Sequence, residues 1–411
     1  MGGSQQELED PPGDPNAHTS AHTGRVLYCT DSYLPQINGV SIVTAQTLLG
    51  LQRLGWSCGV IAPAYPRRFA GCTHPTSAEP AVPVHSIPSV AWPPYPDLRL
   101  AWPARRAIHR RIRQFQPDLV HCATEFVIGR LALSVARELG IPCCTTYHTN
   151  FGQYASAYGV PWLRRPVERW ISHMHGLADR TFTPSAVAEA ELHRMGVRHT
   201  EVWGRGIDTD LFHPRHRSPA HRAALGAERA FTFLYVGRLA PEKNVSLLLA
   251  AFDRMQRHRP PGSVQLLIAG HGPDEAMLRR HAGAHVTFLG AQDRNTRLPS
   301  LYASADAFVF ASTTETLGLV LLEAMASGVP VVAAAAGGVL DHVRDEATGL
   351  TFAGGDVEGC ARAMDRLITD PGLRHRLATA GRAWAEQQAW YLEMVRLDAS
   401  YRELISRRVA P

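Results

Sequence analysis

The sequence predicts an α/β protein made of two doubly wound domains in tandem. Three observations carry this expectation. The chain has 411 residues, enough for two domains of about 200 residues each. Short apolar runs alternate along it with segments of helical spacing. That alternation stops near residue 205, crosses a stretch rich in His, Arg and Pro, and restarts near residue 230. At 45% hydrophobic, 19% charged and 8% aromatic residues, the composition is globular and excludes extended disorder, collagen-like chains and coiled coils.

Residues 1–24 hold four acids and no base. They lack the basic and apolar regions of a secretory signal and read as a flexible acidic tail. In the first domain, 25–205, the runs RVLYCT (25–30), CGVIAP (58–63), DLVHCA (118–123), IPCCTTYH (141–148) and RTFTPS (180–185) read as buried strands. Segments of helical spacing lie between them at 43–54, 104–115 and 131–139. Strands apolar on both faces imply a parallel sheet covered by helices. Residues 206–229 read as the linker. The second domain, 230–385, repeats the pattern with FTFLYVG (231–237), VQLLIAG (264–270), VTFLG (286–290), AFVFAS (307–312) and VPVVAAAA (329–336). Residues 386–411 read as a terminal helix. In such sheets ligands sit at the carboxyl ends of the strands, so the expected site is the cleft between the domains.

Seven scattered cysteines without a C-x-x-C pair suggest neither a disulfide framework nor a zinc site. No Asp, His or Cys cluster has metal-ligand spacing, so no metal is expected. The longest apolar uncharged stretch, 324–340, is too short and too rich in Gly and Pro to cross a bilayer. The expected location is the cytoplasm, including the inner face of its membrane. Charge is uneven: residues 25–199 hold 18 Arg against 10 acids, a net +8, while residues 200–411 hold 24 bases against 23 acids. Only one of the 42 Lys and Arg residues is lysine, Lys243. Arginine-rich codon usage accounts for the rest, but not for that position.

Four segments carry candidate chemistry. In VFASTTETLGLVLLEAMASGVPVV (309–332) a strand ends in a small polar loop holding Glu315, and a helix begins near Leu319. The loop and the helix N-terminus suit a phosphate. Glu323, eight residues after Glu315, lies among Leu321, Leu322, Ala324 and Met325, so its carboxylate needs a partner. In YVGRLAPEKNV (235–245) Arg238 and Lys243 flank a Pro-containing turn, where two cations could neutralise a diphosphate. Arg cannot copy the compact ammonium of Lys in a tight site. In TDSYLPQINGV the Asn38–Gly39 pair lets backbone approach a phosphate before a helix. In TTYHTNFGQY, His148 stands at a strand end. Neither GRGIDT (204–209) nor GHGPDE (270–275) completes a dinucleotide fingerprint, which argues against a dehydrogenase.

Taken together these segments resemble the retaining glycosyltransferases of family 4 over residues 25 to about 385. The resemblance is most specific in E-x7-E (Glu315 to Glu323) with EAMASGVPVVA, and in GRLAPEKN. It implies the GT-B fold, with two Rossmann-like domains facing across a cleft and a last helix that crosses back onto the first. It further implies Gly39, Arg238 and Lys243 at the donor diphosphate. Glu315 and the backbone of Thr316, Leu317, Gly318 and Leu319 fall at the donor sugar, Glu323 at the nucleotide ribose and His148 in the sugar pocket. Leu317 stands where the family has Phe, and Ala311–Ser312 where it has Pro–Ser, with no polar group lost. TDSYLPQINGV and YHTNFGQYASAYGVPWL are similar to a bacterial glycolipid mannosyl- and hexosyltransferase subgroup and to sulfolipid synthases.

The expected reaction is metal-independent transfer of a hexose from GDP-mannose, or alternatively a UDP-sugar, to a lipid acceptor held by the basic first domain. A sugar-nucleotide epimerase and a silent sugar-nucleotide or lipid-binding module are the alternatives. Expected partners are the nucleotide sugar, the lipid acceptor and an anionic membrane surface, with no nucleic acid. Two segments suit that surface: 104–115, with Ile108, Ile112 and Phe115 on one stripe among arginines, and 160–177, which mixes Trp162 and Trp170 with Arg164, Arg165 and Arg169. For 104–115 an ordinary amphipathic helix packed on the sheet serves equally well.

Overall fold

The computed structural model describes residues 24–36, 39–66, 82–92, 95–102, 105–147, 164–204, 206–315 and 317–409. His148, Thr316, Ile37, Asn38, Trp162 and the acidic tail before residue 24 lie outside these.

In the first domain the elements are β1 (Arg25–Cys29), α1 (Gly39–Arg53), β2 (Ser57–Pro63), β3 (Val84–Ile87), β4 (Ser89–Trp92), β5 (Tyr95–Ala101) and α2 (Arg105–Phe115). They continue with β6 (Leu119–Cys122), α3 (Val127–Glu138), β7 (Cys143–Thr146), α4 (Arg164–His175), β8 (Arg180–Thr183), α5 (Ala186–Arg194) and β9 (Thr200–Val202). Seven strands form a parallel sheet in the order β3-β2-β1-β6-β7-β8-β9, while β4 and β5 form a separate antiparallel pair.

After a short helix α6 (Pro219–Ala224), the second domain runs β10 (Phe231–Val236), α7 (Val245–Gln256), β11 (Val264–Ala269), α8 (Glu275–His281), β12 (Val286–Gly290), α9 (Leu298–Ser304) and β13 (Ala307–Phe310). It closes with α10 (Leu319–Ala326), β14 (Val331–Ala334), α11 (Val339–His342), β15 (Leu350–Phe352), α12 (Val357–Thr369) and α13 (Pro371–Gln387), before α14 (Trp390–Val409). Its parallel sheet has the order β12-β11-β10-β13-β14-β15.

Both sheets are built the same way. The chain leaves its first strand, adds strands to one side, then returns to the other side of that first strand. The switch points therefore lie between β1 and β6 and between β10 and β13. At such points the connecting loops part in opposite directions and leave a crevice at the strands' carboxyl ends.

Burial explains why the strands read as continuous apolar runs. Val26, Leu27, Tyr28 and Cys29 of β1 are all buried, as are Phe233, Leu234, Tyr235 and Val236 of β10. One face of the first sheet packs against α2 and α3 through Ile108, Ile112 and Leu133. The other face is completed by α14, whose Met394, Leu397, Tyr401 and Leu404 join Tyr28 and Trp56. The Tyr401 and Tyr28 hydroxyls are 2.6 Å apart, and the Trp56 indole donates to Asp398 at 2.7 Å. The terminal helix thus crosses from the second domain back to the first. It passes beside the outgoing chain, where Ile207 N–H donates to Gln388 O at 2.8 Å and Trp390 N–H to Ile207 O at 2.9 Å.

Two sequence expectations change. Residues 206–229 contain a 3-10 turn and α6 and are fixed to the second domain, because Arg217 and Arg222 pair with Asp306 at 2.7 and 3.1 Å. A six-residue helix is too short to show periodicity, although Ser218 caps it and Pro219 opens it. The apolar stripe of residues 104–115 is also spoken for: Ile108 and Ile112 are fully buried against the sheet. Of the exposed arginines of α2, Arg105 pairs with Glu138 at 2.7 Å, which leaves Arg106, Arg110 and Arg113 to meet a surface.

Candidate active site at the second switch point

The loop after β10 and the loop after β13 meet at the crevice of the second sheet. Lys243, at the end of a 3-10 turn over Pro241–Lys243, is followed by Asn244 in the left-handed region at φ 50°, which starts α7. Its ammonium donates to a Glu315 carboxylate oxygen. The side chains are 16% and 17% exposed, so the pair is shielded on most sides yet still reachable.

The backbone of Glu315 is clamped from behind. Gly338 N–H donates to Glu315 O at 2.8 Å, and a Cβ on Gly337 (φ 57°) would come within 2.4 Å of that same oxygen. Only glycine fits there. On the far side of β10 the approach is equally close. A Cβ on Gly270 would lie 1.8 Å from Gly237 O, so the turns after β10 and β11 touch through backbone alone.

Arg238 lines a recess of about 230 Å³ with Gly237, Gly270, His271 and Gln292. Its side chain is exposed and forms no hydrogen bond or ion pair among the described residues. Its carbonyl accepts from the Tyr235 hydroxyl at 3.0 Å. Burial raises the Tyr235 pKa, with Glu315 and Glu242 adding to the effect, which keeps that hydroxyl a neutral donor. Among the described residues, Arg238 is an unpaired cation and Lys243–Glu315 an exchangeable ion pair, a set suited to a diphosphate.

Glu323 sits one turn into α10 and is 4% exposed. Its two oxygens accept from Arg294 Nε and from the Tyr302 hydroxyl, both at 2.9 Å. The guanidinium of Arg294 stacks over Phe212 at 5.0 Å. The partner that a glutamate in this apolar run requires is thus a guanidinium and a phenol. Neither Arg294 nor Tyr302 carries a local signal in the sequence, since they lie 29 and 21 residues from Glu323. Each carboxylate oxygen keeps a second lone pair for a ligand hydroxyl.

Of the remaining candidates, Leu317 is buried and Gly318 caps α10 at φ 76°. Leu319 opens that helix. Gly39 opens α1 in the first domain and is exposed, with open space where a Cβ would stand. His148 and Thr316 fall outside the described residues. Among the described residues, no group of three or more His, Cys, Asp or Glu is placed to hold a metal.

One further residue faces the other domain across the cleft, with its buried Oδ2 lacking a hydrogen-bond partner among the described residues. Asp341, on α11 just after the glycine clamp, lies against the N-terminus of α5. Burial raises its pKa, and Ser185 with the backbone of Ala186 and Val187 works against that by favouring the charged form.

Comparisons with known proteins agree with this geometry. The profile described as Glycosyltransferase Family 4 matches residues 37–211, and that described as Glycosyl transferases group 1 matches residues 218–384. A GDP-mannose-dependent alpha-mannosyltransferase of Mycobacterium tuberculosis (strain CDC 1551 / Oshkosh) is 35% identical over 93% of this chain and 98% of its own. An alpha-monoglucosyldiacylglycerol synthase of Streptococcus pneumoniae (strain ATCC BAA-255 / R6) is 28% identical over 85% of this chain and 79% of its own. The structure of sucrose-phosphate synthase from Thermosynechococcus elongatus superposes with a TM-score of 0.74, at 23% identity over 94% of this chain and all of its own. That likeness shows the GT-B fold. With two family-specific profiles covering its two domains, and a relative this similar along nearly its whole length, the chain belongs to the family 4 glycosyltransferases.

Proposed function

We propose that the chain transfers mannose from GDP-mannose, with retention of configuration, to a glycolipid acceptor presented at a membrane surface. The observation that carries the reaction type is the Lys243–Glu315 pair at the second switch point, with Arg238 beside it. Negative charge develops on the departing diphosphate as the bond from the sugar C1 to the phosphate oxygen breaks. Arg238 and Lys243 stand where that charge appears. When the diphosphate engages the ammonium, Glu315 is released to accept from sugar hydroxyls. The acceptor oxygen bonds C1 from the face the diphosphate leaves, and its proton passes to the departing phosphate. The ribose falls to Glu323, held by Arg294 and Tyr302.

Mannose and the guanine base follow the mannosyltransferase relative, and the lipid acceptor follows the diacylglycerol relative and the net +8 of residues 25–199. No helix among the described residues is long and apolar enough to cross a membrane, so membrane contact would be made from the surface. A thermal-shift comparison of GDP with UDP, followed by product analysis with GDP-mannose and a glycosyldiacylglycerol, tests the reading. GDP should stabilise more than UDP, and the product should carry an α-mannoside. A larger shift with UDP would overturn the donor. Nucleotide release that does not depend on acceptor would overturn transfer in favour of epimerisation or hydrolysis.

A further inference from the structure

A second cavity lies in the first domain, between α4 and α5, with a volume of about 470 Å³. On α4 it is lined by Arg165, Arg169 and His173, which follow one another at i, i+4 and i+8 and so form one row along the helix. Arg194 faces them from α5. All three arginines are exposed, and none forms a hydrogen bond or an ion pair among the described residues. Glu168 and Glu191 share the cavity, but both are engaged in interactions of their own.

The walls are fixed. The Ser172 hydroxyl donates to Met195 O at 2.7 Å, tying α4 to the end of α5. Beneath lies a small separate core of Tyr147, Ile171, Ala188, Leu192 and Val197. At one end the Trp170 indole donates to Glu125 O at 3.1 Å, in the loop that leaves β6 at its carboxyl end, and Arg130 stacks on that indole at 4.9 Å. The turns carrying Arg165 and Arg169 are therefore anchored to the strand-end side of the domain.

We propose that this groove is a binding site for a phosphate-type oxyanion. Three guanidinium forks that line one cavity, unpaired among the described residues, match tetrahedral oxyanions through paired N–H donors, which solvated arginines on an open helix face do not. The oxyanion is carried either by a lipid headgroup in a bilayer or by a free phosphorylated molecule. The site lies apart from the donor crevice and does not rest on the donor reading above.

The test uses the full chain as wild type, as R165A/R169A/R194A, and as R106A/R110A/R113A on α2, which removes the same charge elsewhere. All six side chains are exposed, so both variants should fold with unchanged thermal transitions. Binding is measured for inorganic phosphate by calorimetry, and for vesicles of phosphatidylcholine with and without phosphatidylglycerol by co-sedimentation. The groove variant should bind at least one of these probes tenfold more weakly than wild type, and the α2 variant should not. Loss for inorganic phosphate assigns a free phosphorylated ligand. Loss for the anionic vesicles alone assigns the lipid headgroup. Equal losses in the two variants, or no loss in the groove variant with either probe, overturn the proposal. Nucleotide binding at the donor crevice should be the same in all three proteins, so failure of the donor reading would be seen separately.

Discussion

At the switch point of the first sheet, Asp31 leaves β1 and reaches across to the elements after β6. It is 1% exposed. It accepts from the Ile128 N–H and the Thr124 hydroxyl at 2.8 Å, and from the Gly129 N–H at 3.3 Å. At the switch point of the second sheet, Lys243 leaves the corresponding strand and reaches across to Glu315. That pair is more than a tenth exposed on both sides. The two domains share a topology, and each ties its crevice with one charged side chain. In the first, every bond ends on the protein itself, at the N-terminus of α3, and the crevice is sealed at its base. In the second, the bond joins two groups that a charged ligand can separate. A switch point is thus only an opportunity for a site; what makes one is a charged pair left within reach of solvent.

Exchanging the charge at the open crevice should have the largest effect. Lys243→Ala should keep its fold and lose about 10²–10³ in kcat, the usual cost of removing one group that stabilises a developing anion. Donor turnover and far-UV circular dichroism measure the two halves of that statement. A Lys243→Ala enzyme of near wild-type activity would show that the open pair is merely structural, and the contrast between the domains would fail. Next in size is the clamp behind Glu315. Gly337→Ala forces a Cβ against Glu315 O in left-handed backbone, costing about 1–2 kcal/mol in strain. By displacing the carboxylate it should also lower turnover about 10- to 100-fold. An unchanged kcat would mean that the position of Glu315 does not matter to the reaction.

The sealed crevice should respond in the opposite way. Asp31→Ala leaves buried N–H and hydroxyl groups without acceptors and should lower stability by about 1–3 kcal/mol. Nucleotide affinity, which the proposed function assigns to the other domain, should stay put. Denaturant unfolding alongside nucleotide titration makes the comparison. If nucleotide binding weakens while stability holds, Asp31 acts at the ligand and the first crevice is not sealed.

These contrasts were unevenly legible in the sequence. Parallel strands buried on both faces announce themselves, which is why both sheets and the restart near residue 230 could be read directly. Lys243 stood out as the single lysine, and Glu323 as a carboxylate in an apolar run. Their partners did not, because Lys243 and Glu315 are 72 residues apart and Tyr302 precedes Glu323 by 21. Asp31 lies 97 residues from the N–H it caps, so no local capping pattern marks it. The groove between α4 and α5 was visible only as scattered arginines in 160–177, and the face they share emerges once α5 is in place. The α5 arginine, Arg194, could not have been grouped with them by spacing.

The effect that is smallest at neutral pH, and grows only as acid is added, concerns two histidines, one in each domain, and tests whether the domains respond to acid alike. His121 is fully buried between the Tyr401 hydroxyl and the Thr146 hydroxyl, the latter at 2.6 Å, and burial lowers its pKa from 6.5 to about 3. His342, beside the Trp384 indole at 3.3 Å, is lowered by burial from 6.5 to about 4. Both rings are held neutral in the folded chain, whereas the unfolded chain takes up a proton on each below 6.5. Stability is therefore complete above that pH and falls as acid is added, by at most about 1.4 kcal/mol per pH unit for each ring. The loss tied to His342 should level off near pH 4, where the folded ring also protonates, while that tied to His121 should continue to about 3. Calorimetric transitions recorded downward from neutral pH should show the second domain losing this slope in His342→Gln and the first domain keeping it. If His342→Gln leaves both slopes intact, its ring is already protonated or solvated in the folded state, and the packing of α11 behind the Glu315 clamp is looser than its burial implies.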